Sequence, residues 1–141
     1  MTEGEILPPD DTFAIHCTLS KMPNGVAQPP LFQPREDDDY LSGAWLESTE
    51  LRDQLDQVRE VCRQLKESKS REVKASHKFA LLNVGNAQES VKSRCNHELD
   101  FIHHPLPIYT SHSGIYGIEQ DAHNISVELS EICFMEPAFL G

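Results

Sequence analysis

Four prolines, Pro23, Pro29, Pro30 and Pro34, crowd residues 20–38 together with the turn pair Asn24-Gly25. A proline fixes its own φ and removes an amide donor, so no regular helix or ladder strand runs through that density. The segment reads as a long loop near the N-terminus, with Leu31 and Phe32 as its candidate anchors to the body. The acidic run Glu36-Asp37-Asp38-Asp39 closes it. That run lacks the alternating Asp spacing and trailing Glu of a calcium-binding EF-hand loop and reads as solubilising.

Around this loop the hydrophobic pattern changes period. Phe13, Ile15, Cys17 and Leu19 alternate with smaller or polar residues, which predicts a half-buried strand over 13–19. Residues 40–46 predict a second strand ending near Trp45. Ser48 or Thr49 can then cap a helix running to about Lys66, with Leu51, Leu55, Val58, Cys62 and Leu65 on one face. A polar, basic connector occupies 67–77. Residues 79–84 form a short continuous apolar run, expected to be a central strand ending at Gly85. A short helix over 88–95 and a strand over 98–103 follow. Residues 105–121 read as a loop, and Asp121 as the cap of a last helix lined by Ala122, Ile125, Leu129, Ile132 and Cys133 and stopped by Pro137.

Strands and helices mix without a βαβ rhythm. The expected class is α+β, with about four strands packed on two main helices. Residues 1–11 are polar and read as a disordered N-terminus, and 12–141 as a single domain. No apolar run approaches bilayer-spanning length, and the acidic start is unlike a secretory signal. Cys17, Cys62, Cys95 and Cys133 are widely spaced, as expected of packed thiols in a reducing cytoplasm. The net charge of −11 disfavours nucleic acid as a partner. It is uneven, with −8 over 1–51, +4 over 52–94 and −7 over 95–141. The basic middle contains Arg59, Arg63, Lys66, Lys69, Arg71, Lys74 and Lys78. It reads either as a docking patch for an acidic partner or as a solvated face balanced by the chain's own acids.

Four blocks, at residues 39–47 (DYLSGAWLE), 79–85 (FALLNVG), 103–106 (HHPL) and 111–117 (SHSGIYG), together resemble a family of small, uncharacterised bacterial proteins. In that family the first block looks like Leu-Ser-Val-Asn-Trp-Leu-Glu, whereas Gly43 and Ala44 stand here. The family has Asp where this chain has His104. The resemblance implies a compact bacterial domain spanning roughly residues 11–137 and attaches no activity, cofactor or catalytic residue to it.

Several constellations bear on chemistry. His16 and Thr18 share one side of the first strand and resemble half of the signature of the two-histidine phosphoesterases, but no second strand-borne pair exists. His97, His103, His104, His112 and His123, with Cys95, enrich the last third in metal-ligating types, yet their spacing matches no zinc pattern, and no metal or other cofactor is assigned. In a strand over 98–103, His103 and His104 point to opposite faces. The stretch 109–117 is the most function-like: Tyr109, Ser111, His112, Ser113 and Tyr116 place hydroxyls and an imidazole among glycines, as a binding loop does. Two functions of different class fit. One is a non-enzymatic accessory protein that binds a protein partner. The other is a small hydrolase-like enzyme, or a metal-binding protein, using His112 with His103 or His16. The discriminator is whether those three histidines share a cleft.

Overall fold

The computed structural model describes residues 4–35, 38–118 and 123–137. Among them are six strands and three α-helices, in place of the four strands and two main helices expected, within the expected mixed α+β class. The strands are β1 (Thr12–Cys17), β2 (Tyr40–Trp45), β3 (Lys78–Asn83), β4 (Asp100–His103), β5 (His112–Tyr116) and β6 (Phe134–Pro137). They form one antiparallel sheet in the order β4-β5-β2-β1-β3-β6. The helices are α1 (Gln54–Glu67), α2 (Val84–Cys95) and α3 (His123–Ile132).

Two cores explain the two sequence patterns. Phe13, Ile15 and Cys17 of β1 point into the larger core, with Ala80 and Leu82 of β3, Phe101, Ile115, Val91 of α2 and Leu129 of α3. Ala14, Phe79 and Leu81 point the other way, against Val58, Val61, Cys62 and Leu65 of α1. Strand β3 is thus buried on both faces, which is why residues 79–84 read as one unbroken apolar run. The alternation in β1 holds to Cys17 but not to Leu19, which turns out in a short 3₁₀ segment (Leu19–Lys21) and is 58% exposed.

Helix boundaries follow the caps. Asp53, not Ser48 or Thr49, caps α1, its carboxylate accepting from the Leu55 amide at 2.8 Å. Ser48 and Thr49 lie in a 3₁₀ turn (Leu46–Thr49) that ends at Glu50 with φ of +64°. Val58, Cys62 and Leu65 of the predicted stripe are buried, but its N-terminal end lies outside the core. Leu51 and Leu55 are 42% and 38% exposed, while Gln57 and Gln64 are buried. Both glutamines have partners: Gln57 donates to the Leu51 carbonyl at 2.8 Å, and Gln64 accepts from the Ser111 amide at 3.0 Å. Asn83 caps α2 through the Asn86 amide, so that helix begins four residues before the expected 88. Between α2 and α3, Ser90 donates to the buried Glu128 carboxylate at 2.7 Å, and Arg94 lies 3.4 Å from it.

Residues 4–11, expected to be disordered, touch the body at three described points: Ile6 bridges Ile102, Leu7 is 1% exposed, and the Asp11 carboxylate accepts from the Trp45 indole at 2.8 Å. Two further expectations are corrected. The loop expected over 105–121 contains β5, whose Gly114 and serines hide its strand character from a propensity reading. After α3 the chain forms edge strand β6, so Pro137 ends a strand and the helix stops at Ile132. Asp121 and Ala122 lie outside the described residues. The proline-rich loop behaves as expected at its anchors: Leu31 and Phe32 are buried in a 3₁₀ turn (Pro29–Phe32), and Ser126 of α3 donates to the Phe32 carbonyl. No helix among the described residues is long and apolar enough to cross a membrane.

Candidate functional site

The sheet is weakest at its centre. Strands β1 and β3 pair over six residues, and β2 and β5 over five, but β1 and β2 pair only at Phe13↔Trp45 and Ala14↔Ala44. Beyond those pairs the two strands line opposite walls of a cleft of about 160 Å³, Ile15 and His16 on one side and Tyr40 and Ser42 on the other. Lys21, Arg35 and Asp38 reach it from the proline-rich segment, and Arg71 from the connector after α1.

Behind Ser42 stands His112. Its Nδ1 lies 2.8 Å from the His104 carbonyl, which can only accept, so Nδ1 carries the proton. Nε2 then holds the lone pair, and the Ser42 hydroxyl donates to it at 2.8 Å. Burial holds the His112 pKa below the ordinary histidine value and opposes the contribution of the His104 carbonyl; His104 and His103 nearby also lower it. The neutral imidazole is therefore the resident form at neutral pH, and it is oriented as a base toward a hydroxyl at the cleft wall.

Glycine sets this geometry. Tyr40 lies across Gly114, where a Cβ would stand 2.3 Å from its ring, and this brings its ring centroid to 5.2 Å from His104 and 6.0 Å from His112. Tyr116 completes the cluster, its hydroxyl bonded to His104 Nε2. On the opposite wall, the Lys74 amide donates to His77 Nδ1 at 3.2 Å, so His16 must donate its Nε2–H to the same atom at 2.9 Å. His16 Nδ1 is left buried without a hydrogen-bond partner among the described residues. Desolvation first, then the neighbouring His77 and Arg71, push the His16 pKa down to about 4.

Comparison with family models, with curated proteins and with solved structures finds no match. The site stands on its own geometry.

Of the three histidines singled out in the sequence, the structure brings two to this cleft: His16 lines it, and His112 reaches it through Ser42. His103 is on the other face of the sheet, its ring 5.1 Å from Trp45 and its Nε2 bonded to the Thr110 carbonyl. His103 and His104 do point to opposite faces. Thr18 also lines the cleft, but His16 spends Nε2 on His77, and no second pair faces it. The expected binding loop is instead a strand and its approach. Tyr109 is buried with its hydroxyl on the Gly43 carbonyl, Ser111 is held by Ser48 and Gln64, and Ser113 bonds back to the Ser111 carbonyl. Only Tyr116 of the five is part-exposed. The histidine-rich last third is dispersed: His97 bonds to the Gly117 carbonyl, and His123 starts α3. Among the described residues no three His, Cys, Asp or Glu side chains converge as metal ligands. In the basic stretch, Arg63 is paired with Glu60 and Glu67, as a solvated face would be, while Arg71 turns to the cleft.

Sequence reasoning missed Ser42, Tyr40 and Lys21. Period two places Tyr40, Ser42 and Ala44 on one face, but nothing local links that face to a histidine 70 residues away.

Proposed function

We propose that the cleft is a small hydrolytic active site in which Ser42 is the nucleophile and His112 its general base. The observation that carries this reading is the Ser42 hydroxyl directed at His112 Nε2, with the proton on Nδ1 fixed by the His104 carbonyl. A carbonyl here takes the orienting role that a carboxylate has in catalytic triads. In the reaction, Ser42 Oγ attacks an ester carbonyl and its proton passes to His112 Nε2. His112 returns that proton to the leaving alkoxide as the C–O bond breaks. Water, deprotonated by the same imidazole, then attacks the acyl-serine and releases the acid, and Ser42 recovers its proton. The setting we propose is a bacterial cytoplasm, which the four unbridged cysteines support.

The experiment is covalent labelling of the folded protein with a fluorophosphonate, read by peptide mass spectrometry, beside hydrolysis of p-nitrophenyl esters. The expected result is a label on Ser42 that His112→Gln suppresses, and hydrolysis that Ser42→Ala removes. Unlabelled Ser42, or hydrolysis unchanged in a folded Ser42→Ala variant, would overturn the reading.

A second reading rests on a different observation. Phe134 is 69% exposed on edge strand β6, which pairs among the described residues only with β3. On this reading the chain is a non-enzymatic accessory protein that offers that edge to a protein partner by strand addition. Co-purification that Phe134→Lys abolishes, in a protein with no esterase activity, would favour it.

A further inference from the structure

A chain of net charge −11 has twelve cations. Three of them, Lys21 and Arg35 from the proline-rich segment and Arg71 from the connector after α1, reach the walls of one cleft that holds a single described carboxylate, Asp38. Among the described residues, neither Lys21 nor Arg71 has a carboxylate within ion-pair distance. This differs from Arg63, which is neutralised by two glutamates on its own helix. Self-balancing of surface charge therefore accounts for Arg63 and not for Lys21 and Arg71. A cleft in which cations outnumber carboxylates concentrates anions, and does so against the repulsive field of the rest of an acidic chain.

We infer that the cleft takes a small oxyanion, held by Lys21 and Arg71, so that the molecule processed at Ser42 carries a phosphate or carboxylate group. What happens after binding rests on the hydrolytic reading; the binding itself does not. The cleft, about 160 Å³, has room for a phosphate or for a carboxylate with a short stem. Arginine and lysine are complementary in this role, one a planar fork and the other a point charge. Ser42 and Tyr40 line the same cleft, beside the position of such a molecule's ester end.

The test is calorimetric titration of the intact protein, at low ionic strength, with inorganic phosphate and separately with acetate. At least one of the two is expected to bind. Arg71→Gln and Lys21→Gln should each weaken that binding about tenfold or more, as loss of a charge-assisted hydrogen bond does. Phosphate alone would assign a phosphorylated substrate, and acetate alone a carboxylic one. In parallel, the kcat/KM ratio of an anionic over a neutral p-nitrophenyl ester should fall about tenfold in Arg71→Gln. Absence of binding for both ions, or binding indifferent to both substitutions, overturns the inference. The two ideas fail separately. A labelled Ser42 without cation-dependent binding leaves a hydrolase of neutral esters. Cation-dependent binding with an inert Ser42 leaves an anion-binding protein.

Discussion

His16 should make the stability of the fold depend on pH between its folded and unfolded pKa values. Its pKa is about 4 in the folded protein and near 6.5 when exposed. A base with a depressed folded value is charged more readily in the unfolded chain, so its full contribution is present above pH 6.5 and is lost as pH falls toward 4. At 1.36 kcal/mol per pH unit, the loss between pH 7 and pH 5 is about 2 kcal/mol, and it grows further toward pH 4. The perturbation is His16→Leu. Leucine suits a site beside the Phe79 ring, and His77 Nδ1 keeps the Lys74 amide as its donor. Urea melts of both proteins at pH 7 and pH 5 isolate the effect, because His112, depressed in the same direction, is common to both and cancels in the difference. Wild type should lose about 2 kcal/mol more than His16→Leu over that interval. Parallel losses, within about 0.5 kcal/mol, would mean that burial does not depress the His16 pKa in the folded protein.

Other substitutions probe the packing and the base. Leu129→Ala, in a fully buried position of α3, should cost about 2–5 kcal/mol in a denaturant melt, whereas Leu55→Ala, 38% exposed, should cost less than about 1 kcal/mol. Equal costs would place the α1 face elsewhere. Gly43→Ala should destabilise by about 1–3 kcal/mol or more, since the new methyl would lie 2.3 Å from the Phe13 ring and 2.7 Å from the Ala14 carbonyl oxygen; an unchanged melt refutes the β1–β2 register. If His112 is the general base, ester hydrolysis falls as pH drops through its pKa, and the acid limb of kcat/KM should lie below pH 6.5. An acid limb above 7 argues for another group.

What the sequence revealed and what it hid divide along the range of the forces involved. The alternation in β1 and the apolar run in β3 were legible because burial imposes a local period. Strand β5 was not, because its place is fixed by β2 and β4 on either side and not by its own residues: Gly114 pairs with Ser42 and Ile102, a contact no local pattern announces. Leu51 and Leu55 misled for a related reason. They continue the spacing of the buried stripe backwards, but Asp53 starts the helix after Leu51, and both of these first two positions of the pattern are exposed. At the site, His112 and His16 were visible as residue types. Their roles depend on the His104 carbonyl and on His77, partners set by tertiary placement alone.

The short ladder between β1 and β2 divides the sheet into two half-sheets of three strands, β4-β5-β2 and β1-β3-β6, joined at one end only. That end is clasped. Glu47 accepts from the Thr12 amide and hydroxyl at 2.7 and 2.9 Å, and Trp45 donates to Asp11. Beyond that end no β1–β2 ladder pair is present among the described residues, so a molecule seated between His16 and Ser42 would enter the middle of a sheet without breaking a single ladder hydrogen bond.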